Sequence, residues 1–415
     1  MGISELLILR LIANGKMTND TATIAGTLSR PNRNDFLRRY EKLFFLTTVL
    51  ACALPGFAPL KLVAIIALWC YMMAGDSFTI AAALWFVSVL LNLLLGAQVG
   101  AVFQGVPLNY VFDHFLRLIV FFIALGIGSY TANRCSISQK RLDQLIFVIA
   151  VGLMIFKLLI AGAVLAGMPQ SRVQAIFGFD TPTSDIGFGL QRLQFPSDIV
   201  APFLIACYVG GKKKIKDGIL LFCIATVVFL SFSRFLFAFY ILCTFLRALW
   251  IKKADFITVL NIVVSVACTI VFFESILSRF ASAETGVSDQ TRVDQIHYLK
   301  VGIKNFPLLG TGLGSEAHDF LRNDKTPYLY EAQWYATIMQ MGFIGVFWYV
   351  LNLLLAVYVP LRKNYIAFTV VFLVWVFSGF TNPYLTGLGS AFGLTILLLR
   401  CNGTRPEPRP AATIA

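Results

Sequence analysis

The chain has 415 residues, of which 58% are hydrophobic and only 13% are charged, and its formal net charge at pH 7 is +13. Soluble domains usually carry about 25% charged residues, so this composition excludes a soluble globular protein and predicts an all-α polytopic integral membrane protein. Nucleic-acid binding is excluded as the reason for the positive charge, because no basic soluble domain accompanies it.

Twelve apolar stretches are predicted to be transmembrane helices, because backbone polar groups inside lipid must be hydrogen-bonded within their own segment. They lie near 43–57, 58–75, 78–99, 112–132, 143–167, 194–210, 217–233, 234–250, 256–276, 332–359, 365–381 and 384–400. The predicted organisation is an N-terminal segment at 1–42, nine helices in 43–276, a large helical loop at 277–331, three helices in 332–400 and a disordered tail at 401–415. A short apolar stretch at 6–12 is interrupted by Arg10, which favours a surface helix over a cleavable signal peptide.

Lysines and arginines cluster on one side of the membrane if the spans alternate in direction. The clusters are Arg38, Arg39 and Lys42; Arg134, Lys140 and Arg141; Lys212, Lys213, Lys214 and Lys216; Lys252 and Lys253; Arg362 and Lys363; and Arg400, Arg405 and Arg409. The positive-inside rule makes this side cytoplasmic and places both termini there. The large loop at 277–331 is then predicted to face outward.

The eight cysteines form no disulfide or zinc pattern, since no CxxC occurs and none lies in an outward loop. They are therefore predicted to be small buried hydrophobic residues. No outward Asp or His cluster has the spacing of a metal site, so neither a metal nor another cofactor is predicted.

Four arginines lie at the outward ends of predicted elements. Arg192 precedes the sixth span, Arg234 lies between the seventh and eighth, and Arg279 and Arg292 lie in the large loop. A guanidinium offers paired donors that suit phosphate, although an interfacial arginine can also reach lipid headgroups without any other role. Because the positive-inside rule makes outward arginines unusual, the pattern favours phosphate binding.

Arg292 belongs to a predicted helix that starts at Ser288-Asp289 and stops at Phe306-Pro307. Its spacing places it on one face with the apolar residues Ile296, Leu299 and Ile303. A charge on an apolar face needs a partner. The predicted partners are a ligand phosphate or one of Asp289, Asp294 and Glu316.

The run Gly310-Thr-Gly-Leu-Gly314 follows the predicted helix stop. No strand precedes it, which excludes a dinucleotide-binding loop. Two interpretations remain open: the glycines allow a tight turn, or they let the backbone approach a phosphate, with Gly312 as a pyrophosphate contact.

Three residues are candidate general bases. Glu331 opens the tenth span, where a helix N-terminus also favours a carboxylate without any catalytic role. His318 in the loop is the alternative base, and His114 is a weaker one. Lys157 lies near the middle of the fifth span, where a charge is a functional candidate, yet the sequence offers it no evident partner.

Four short motifs occur in an order that resembles the bacterial O-antigen ligase and Wzy-type polysaccharide polymerase superfamily. They are Gln191-Arg-Leu-Gln-Phe-Pro-Ser-Asp198, Leu230-Ser-Phe-Ser-Arg234, Thr291-Arg292 followed by Phe306-Pro-Leu-Leu-Gly-Thr-Gly-Leu-Gly314, and Gly342-Phe-Ile-Gly345. By motif the resemblance covers residues 190–350, and elsewhere it is one of topology. It implies a bacterial inner-membrane protein that acts on undecaprenyl-pyrophosphate-linked glycans, with the large loop in the periplasm.

The resemblance also implies roles for individual residues. Ligases of this superfamily carry a His-Asn pair before the last motif, whereas here Tyr330-Glu331-Ala332-Gln333 lies eleven residues before Gly342, which is more similar to polymerases. Arg192 and Arg292 would hold the pyrophosphate, with Arg234 as a further contact, and Glu331 would accept the proton of the acceptor hydroxyl. Arg279 and Gly312 are predicted as further pyrophosphate contacts from their positions in the large loop.

The expected function is therefore a metal-independent glycosyltransferase that polymerises lipid-linked repeat units into O-antigen, capsule or exopolysaccharide. An O-antigen ligase that transfers the glycan to lipid A-core is the alternative within this class. A transporter or flippase of a lipid-linked anion is the alternative from another class, favoured mainly by Lys157. The expected partners are the donor glycan, a glycan or lipid A-core acceptor, membrane lipids and, for a polymerase, a chain-length regulator.

Overall fold

The computed structural model describes residues 33–54, 56–75, 79–135, 137–169, 172, 185–187, 190–210, 214–251, 256–271, 283–318, 320, 326–358, 366–380 and 382–402. The chain divides into two compact units, Met1–Lys42 and Leu43–Ala415. The description of the first unit begins at Arg33.

Helices make up most of the described residues. They are α1 (Arg33–Ala53), α2 (Ala58–Ala74), α3 (Ile80–Gln98), α4 (Leu108–Arg134), α5 (Gln139–Leu165), α6 (Val200–Cys207), α7 (Lys214–Ser231), α8 (Arg234–Ile251), α9 (Phe256–Val271), α10 (Ala283–Asn305), α11 (Gln333–Ala356), α12 (Ile366–Ser378) and α13 (Leu388–Asn402). Two very short strands, β1 (Asp185–Gly187) and β2 (Leu190–Gln191), pair antiparallel before α6. The strand pair is an addition to the prediction, which placed no strand in the chain.

The architecture is that of an all-α membrane protein. Among the described residues, four helices are long and apolar enough to cross a membrane: α3 with its continuation to Phe103, α4, α5 and α11. A helix coincides with each of the twelve predicted spans, but several of these helices are shorter than a membrane crossing requires. The number of spans therefore stays a prediction.

The sixth predicted span is the clearest difference in length. A 3₁₀ turn at Pro196–Ile199 precedes α6, and α6 itself has 8 residues. At 1.5 Å per residue such a helix rises about 12 Å, well short of the roughly 30 Å hydrocarbon layer. Every residue of α6 is buried, so this helix is enclosed by others and its length is not set by contact with lipid.

Helix α13 lies at the centre of the larger unit, where it contacts α4, α5, α6 and α12. Residues 389–399 are buried on all sides, as expected of an apolar helix surrounded by protein. Glycine permits its closest approach to α4, because a Cβ at Gly128 would lie 1.9 Å from Thr395 Oγ1. Small residues at such crossings let membrane helices pack closely.

The large loop contains α10, which ends at Asn305, directly before the predicted stop. The helix begins at Ala283, five residues before the predicted start at Ser288. Ala283 and Glu284 favour helix, and an acidic residue suits a helix N-terminus, so the helix extends beyond the expected cap.

Helix α11 is broken at Gly342, whose φ of 65° and ψ of 178° are not helical. In a regular helix the carbonyls of Met339 and Gln340 would accept the N–H groups four residues later. Here the backbone N–H groups of Thr311 and Gly312 donate to these two carbonyls at 2.7 and 2.8 Å. The loop before α11 therefore supplies donors to the broken helix.

The loop before α11 also supplies carbonyl acceptors to the N–H groups that follow the break. The N–H of Phe343 donates to Pro307 O at 2.9 Å, and the N–H of Ile344 donates to Leu308 O at 3.2 Å. Residues 306–314, which we name the glycine segment, thus take the place of the missing helical turn. The break leaves these backbone groups hydrogen-bonded, as a position inside a membrane protein requires.

The other edge of the glycine segment contacts the end of α3. The N–H of Leu313 donates to Gly96 O at 2.9 Å, and the chain continues from Val99 to Phe103 as a π turn. Glycine is required at the contact, because a Cβ at Gly312 would lie 2.0 Å from Gly100 N.

Candidate functional site

Arg292 forms an ion pair with Glu331. The Nε of Arg292 donates to Glu331 Oε2 at 2.6 Å, and the two side chains are 29% and 22% exposed. The predicted partners of Arg292 were Asp289, Asp294, Glu316 or a ligand phosphate, whereas its partner in this ion pair is Glu331. The structure brings together the predicted base and one of the predicted phosphate-binding arginines.

The surroundings of this pair hold Glu331 in place. Gln295, one helical turn after Arg292, is buried, and its Oε1 accepts the N–H of Ala332 at 3.0 Å. The oxygen of Tyr330 accepts the N–H of Ala317 at 2.6 Å. Burial raises the pKa of Tyr330 to about 12, so its phenol stays neutral at physiological pH. The residues on both sides of Glu331 are therefore anchored by buried hydrogen bonds.

Arg192 is held by a separate set of polar contacts. Its Nε donates to Ser231 O, the last residue of α7, at 3.1 Å, and its guanidinium also donates to Gln194 Oε1. The amide of Gln194 in turn donates to the hydroxyl of Tyr384. Arg192 is partly buried, so its guanidinium is oriented by protein groups while part of it remains accessible.

Arg234 is the first residue of α8 and is partly buried. The next residue, Phe235, stacks on the ring of Tyr384 with a centroid distance of 5.8 Å. Arg192 and Arg234 therefore both lie near the turn that contains Tyr384, one through side-chain hydrogen bonds and the other through the residue beside it.

The Tyr384 turn also contacts the start of α11. Gln333 Oε1 accepts the N–H of Leu385 at 2.5 Å, and Gln333 Nε2 donates to Thr386 Oγ1 at 3.2 Å. Gln333 is two residues from Glu331 in the chain. The turn thus joins the Arg192 contacts to the region of the Arg292–Glu331 pair, and these polar residues converge at one end of the helices.

Tyr384 in this turn and Gln194 were not among the predicted site residues. A signal for the turn was present, since Asn382-Pro383 lies between the eleventh and twelfth predicted spans, directly before Tyr384 and on the same predicted side as the large loop. Nothing in the sequence linked that turn to Gln194, which lies 190 residues away.

Lys157 has the partner that the sequence did not reveal. Its Nζ donates to Asp198 Oδ2 at 2.9 Å, and both side chains are fully buried. Asp198 Oδ2 also accepts the N–H of Phe195 at 2.7 Å and the hydroxyl of Ser231 at 2.8 Å. This buried pair accounts for a charge inside α5 as a packed ion pair.

The same ammonium group supports the residues that hold Arg192. Lys157 Nζ donates to Leu193 O at 2.8 Å and to Ser231 Oγ at 2.7 Å. Leu193 follows Arg192, and Ser231 supplies the carbonyl that Arg192 contacts. The buried charge therefore fixes both backbone segments that orient this arginine.

The glycine run is involved in packing. The N–H groups of the five residues 310–314 donate, respectively, to Phe306 O, Met339 O, Gln340 O, Gly96 O and His114 Nδ1. With these donors bonded to protein acceptors, the geometry favours the tight-turn interpretation of Gly312 over an approach to phosphate.

The two histidine candidates differ in environment. His114 is buried, accepts the N–H of Gly314 at 3.2 Å and stacks on Tyr328 at 5.1 Å, so it serves to pack the loop. His318 is exposed, beside the isolated β-bridge between Ala317 and Phe320. Arg279 lies outside the described residues.

Comparisons with protein-family models, with curated proteins and with solved structures find no match for this chain. Within the described part of the chain, no group of three or more His, Cys, Asp or Glu side chains is placed to hold a metal ion. The polar residues around the Tyr384 turn and the Arg292–Glu331 pair are therefore the features from which a function can be proposed.

Proposed function

We propose that this protein is an inner-membrane glycosyltransferase that polymerises undecaprenyl-pyrophosphate-linked repeat units on the periplasmic face. In this proposal the chain crosses the membrane twelve times with both termini in the cytoplasm. The observation that carries the proposal is the direct contact between Arg292 and Glu331. An arginine suited to pyrophosphate and a carboxylate suited to accept a proton lie side by side at the start of a candidate membrane helix.

In the reaction, a hydroxyl oxygen of the acceptor glycan attacks the anomeric carbon of the donor glycan. The bond from that carbon to the pyrophosphate oxygen breaks, and its electron pair leaves with undecaprenyl pyrophosphate. Arg192 and Arg292 stabilise the negative charge that grows on the pyrophosphate, while Glu331 accepts the hydroxyl proton. A preorganised charge of this kind contributes on the order of 3 kcal/mol per group.

The ion pair suggests an order of events. In the structure, Arg292 Nε donates to the Glu331 carboxylate. When a pyrophosphate binds, the guanidinium shares its donors with phosphate oxygens, which releases a carboxylate lone pair to accept a proton. Substrate binding would thereby activate the base at the moment when the donor is in place.

We expect Glu331→Gln to lower polymer formation by roughly 10²–10⁴-fold, the usual contribution of a general base. Glutamine still presents an oxygen to Arg292 Nε, so the fold is retained while proton acceptance is lost. The measurement is polymer yield from purified protein and lipid-linked repeat units, with membrane accumulation checked in parallel. His318→Ala is the matched control and should retain most activity. An active Glu331→Gln together with an inactive His318→Ala would reverse the assignment.

Arg292→Lys keeps the positive charge and removes the paired donors of the guanidinium. We expect a sharp loss of polymer with normal protein accumulation. Arg117→Lys is a suitable comparison, because Arg117 is an exposed arginine that pairs with Asp113 at 2.9 Å outside the proposed site. Near-normal polymer from both variants would count against pyrophosphate binding by Arg292.

The alternatives predict different surface glycans in a deletion strain. Loss of a polymerase leaves lipid A-core capped with a single repeat, whereas loss of a ligase leaves unlinked polymer on its lipid carrier. The break at Gly342 is the observation that most favours a transporter, since transporters bind solutes at broken helices. The backbone groups at this break are bonded to the glycine segment, however, which favours the enzyme.

A further inference from the structure

The glycine segment lies between two candidate membrane spans. It hydrogen-bonds to Gly96 in the helix that runs from Ile80 to Phe103, and to residues 339–344 in α11. Both helices are among the four that are long and apolar enough to cross a membrane. We propose that the glycine segment is a re-entrant membrane segment, and that its exposed side chains contact lipid hydrocarbon chains.

The contacts locate this segment along both helices. Gly342 lies nine residues after Gln333, the first residue of α11, and the turns between them pack on α10, where Lys300 Nζ lies 5.6 Å from the ring centroid of Tyr335. The segment is therefore attached to α11 where the contact with α10 ends. On the other side, α3 and its π turn continue for seven residues beyond Gly96 and end with the strongly exposed apolar residues Val102 and Phe103. Apolar surface therefore extends past the point where the glycine segment is attached.

The exposed side chains of the segment have the character of a lipid-facing surface. Leu308 and Leu309 are 62% and 46% exposed, although each is a large hydrophobic residue. The neighbouring residues of α11, Phe343 and Ile344, are also exposed. An apolar patch of this kind on a water-facing loop would be unfavourable, whereas the same patch is favourable in contact with hydrocarbon.

The backbone of the segment meets the second requirement of a position in lipid. Irregular backbone is tolerated at membrane depth only where its polar groups are bonded to protein. The N–H groups of residues 310–314 and the carbonyls of Pro307 and Leu308 all have protein partners. Most N–H groups of the segment are therefore bonded to protein, which permits hydrocarbon surroundings, and the exposed apolar side chains favour them.

Lipid is a better occupant of this surface than a second copy of the chain. The apolar patch continues along α11 to Phe347, which is 64% exposed within a candidate span. Because this apolar surface is continuous from the segment onto a candidate membrane span, both parts are expected to contact the lipid that surrounds the span.

Site-directed spin labelling tests the proposal without relying on any activity. The parent variant carries Cys70→Ala and Cys268→Ala and keeps the other cysteines, which are buried; the unsubstituted parent reports background labelling. Labels are introduced by Leu308→Cys and Leu309→Cys, whose exposure makes the substitutions tolerable. Phe347→Cys is the lipid control, and Lys304→Cys and Glu316→Cys at exposed polar positions are the water controls.

In proteoliposomes we expect the labels at 308 and 309 to collide strongly with oxygen and weakly with a water-soluble nickel complex, as the label at 347 does. The labels at 304 and 316 should show the reverse. Water-like accessibility at 308 and 309 would overturn the proposal. Protection from both reagents with dipolar broadening would also overturn it, because the occupant would then be a second copy of the chain.

Discussion

At the residue scale, two charges are tolerated in the interior beside α5 because they form an ion pair. Lys157 and Asp198 are fully buried 2.9 Å apart, and removal of one partner leaves an uncompensated charge. We expect Lys157→Met to destabilise the protein by about 3–5 kcal/mol. The measurement is thermal unfolding in detergent.

The double variant Lys157→Met, Asp198→Asn is the matched comparison. It removes both charges, and the asparagine oxygen can still accept the N–H of Phe195 and the hydroxyl of Ser231. The double variant should therefore unfold at a higher temperature than Lys157→Met alone. If the two unfold at the same temperature, the lone carboxylate is not the source of the instability.

At the element scale, the glycine segment and the broken helix α11 form one structural unit, and glycine is needed where they meet α3. Gly312 has a φ of +86°, and a Cβ there would lie 2.0 Å from Gly100 N. Gly167 has a nearly equal φ of +88°, but a Cβ there would have nothing within 4 Å. Substitutions at Gly312 and Gly167 therefore separate the free-energy cost of backbone strain from the cost of the close contact.

We expect Gly167→Ala to cost about 1–2 kcal/mol, the strain of a left-handed conformation alone. Gly312→Ala should cost this strain and a further 1–3 kcal/mol or so, because backbone atoms must move to admit the methyl group. The check is thermal unfolding of both variants. Equal unfolding temperatures would mean that the contact with Gly100 is not tightly packed.

At the scale of the whole molecule, the proposed orientation follows from the placement of lysine and arginine. Lys304 lies exposed in the loop helix α10, and Lys140 lies exposed at the start of α5. In the cysteine-reduced parent, Lys304→Cys should react with a membrane-impermeant thiol reagent in intact spheroplasts. Lys140→Cys should react only after the membrane is opened. The opposite pattern would reverse the orientation and remove the proposed periplasmic site.

The positions of the helices could be predicted from hydropathy alone. A helix coincides with each predicted span because an apolar stretch in lipid has no other way to bond its backbone, and hydropathy is a local property. The end of α10 at Asn305 was also predictable from a local feature, because Pro307 follows two residues later and a proline disfavours helical conformation in the residue before it. The short α6 was not predictable, because enclosure by neighbouring helices removes the length requirement of a span. The pairing of strands β1 and β2 was not predicted either.

Which side chains meet could not be predicted without the folded structure. Arg292 pairs with a residue 39 positions away, and Lys157 pairs with one 41 positions away. Composition and spacing identified these residues as unusual, but a partner is chosen by how distant helices pack. The break in α11 has the same origin. The sequence around Gly342 contains no proline or other clear stop signal, and the missing helical hydrogen bonds are replaced by residues 307–312, which belong to a different part of the chain.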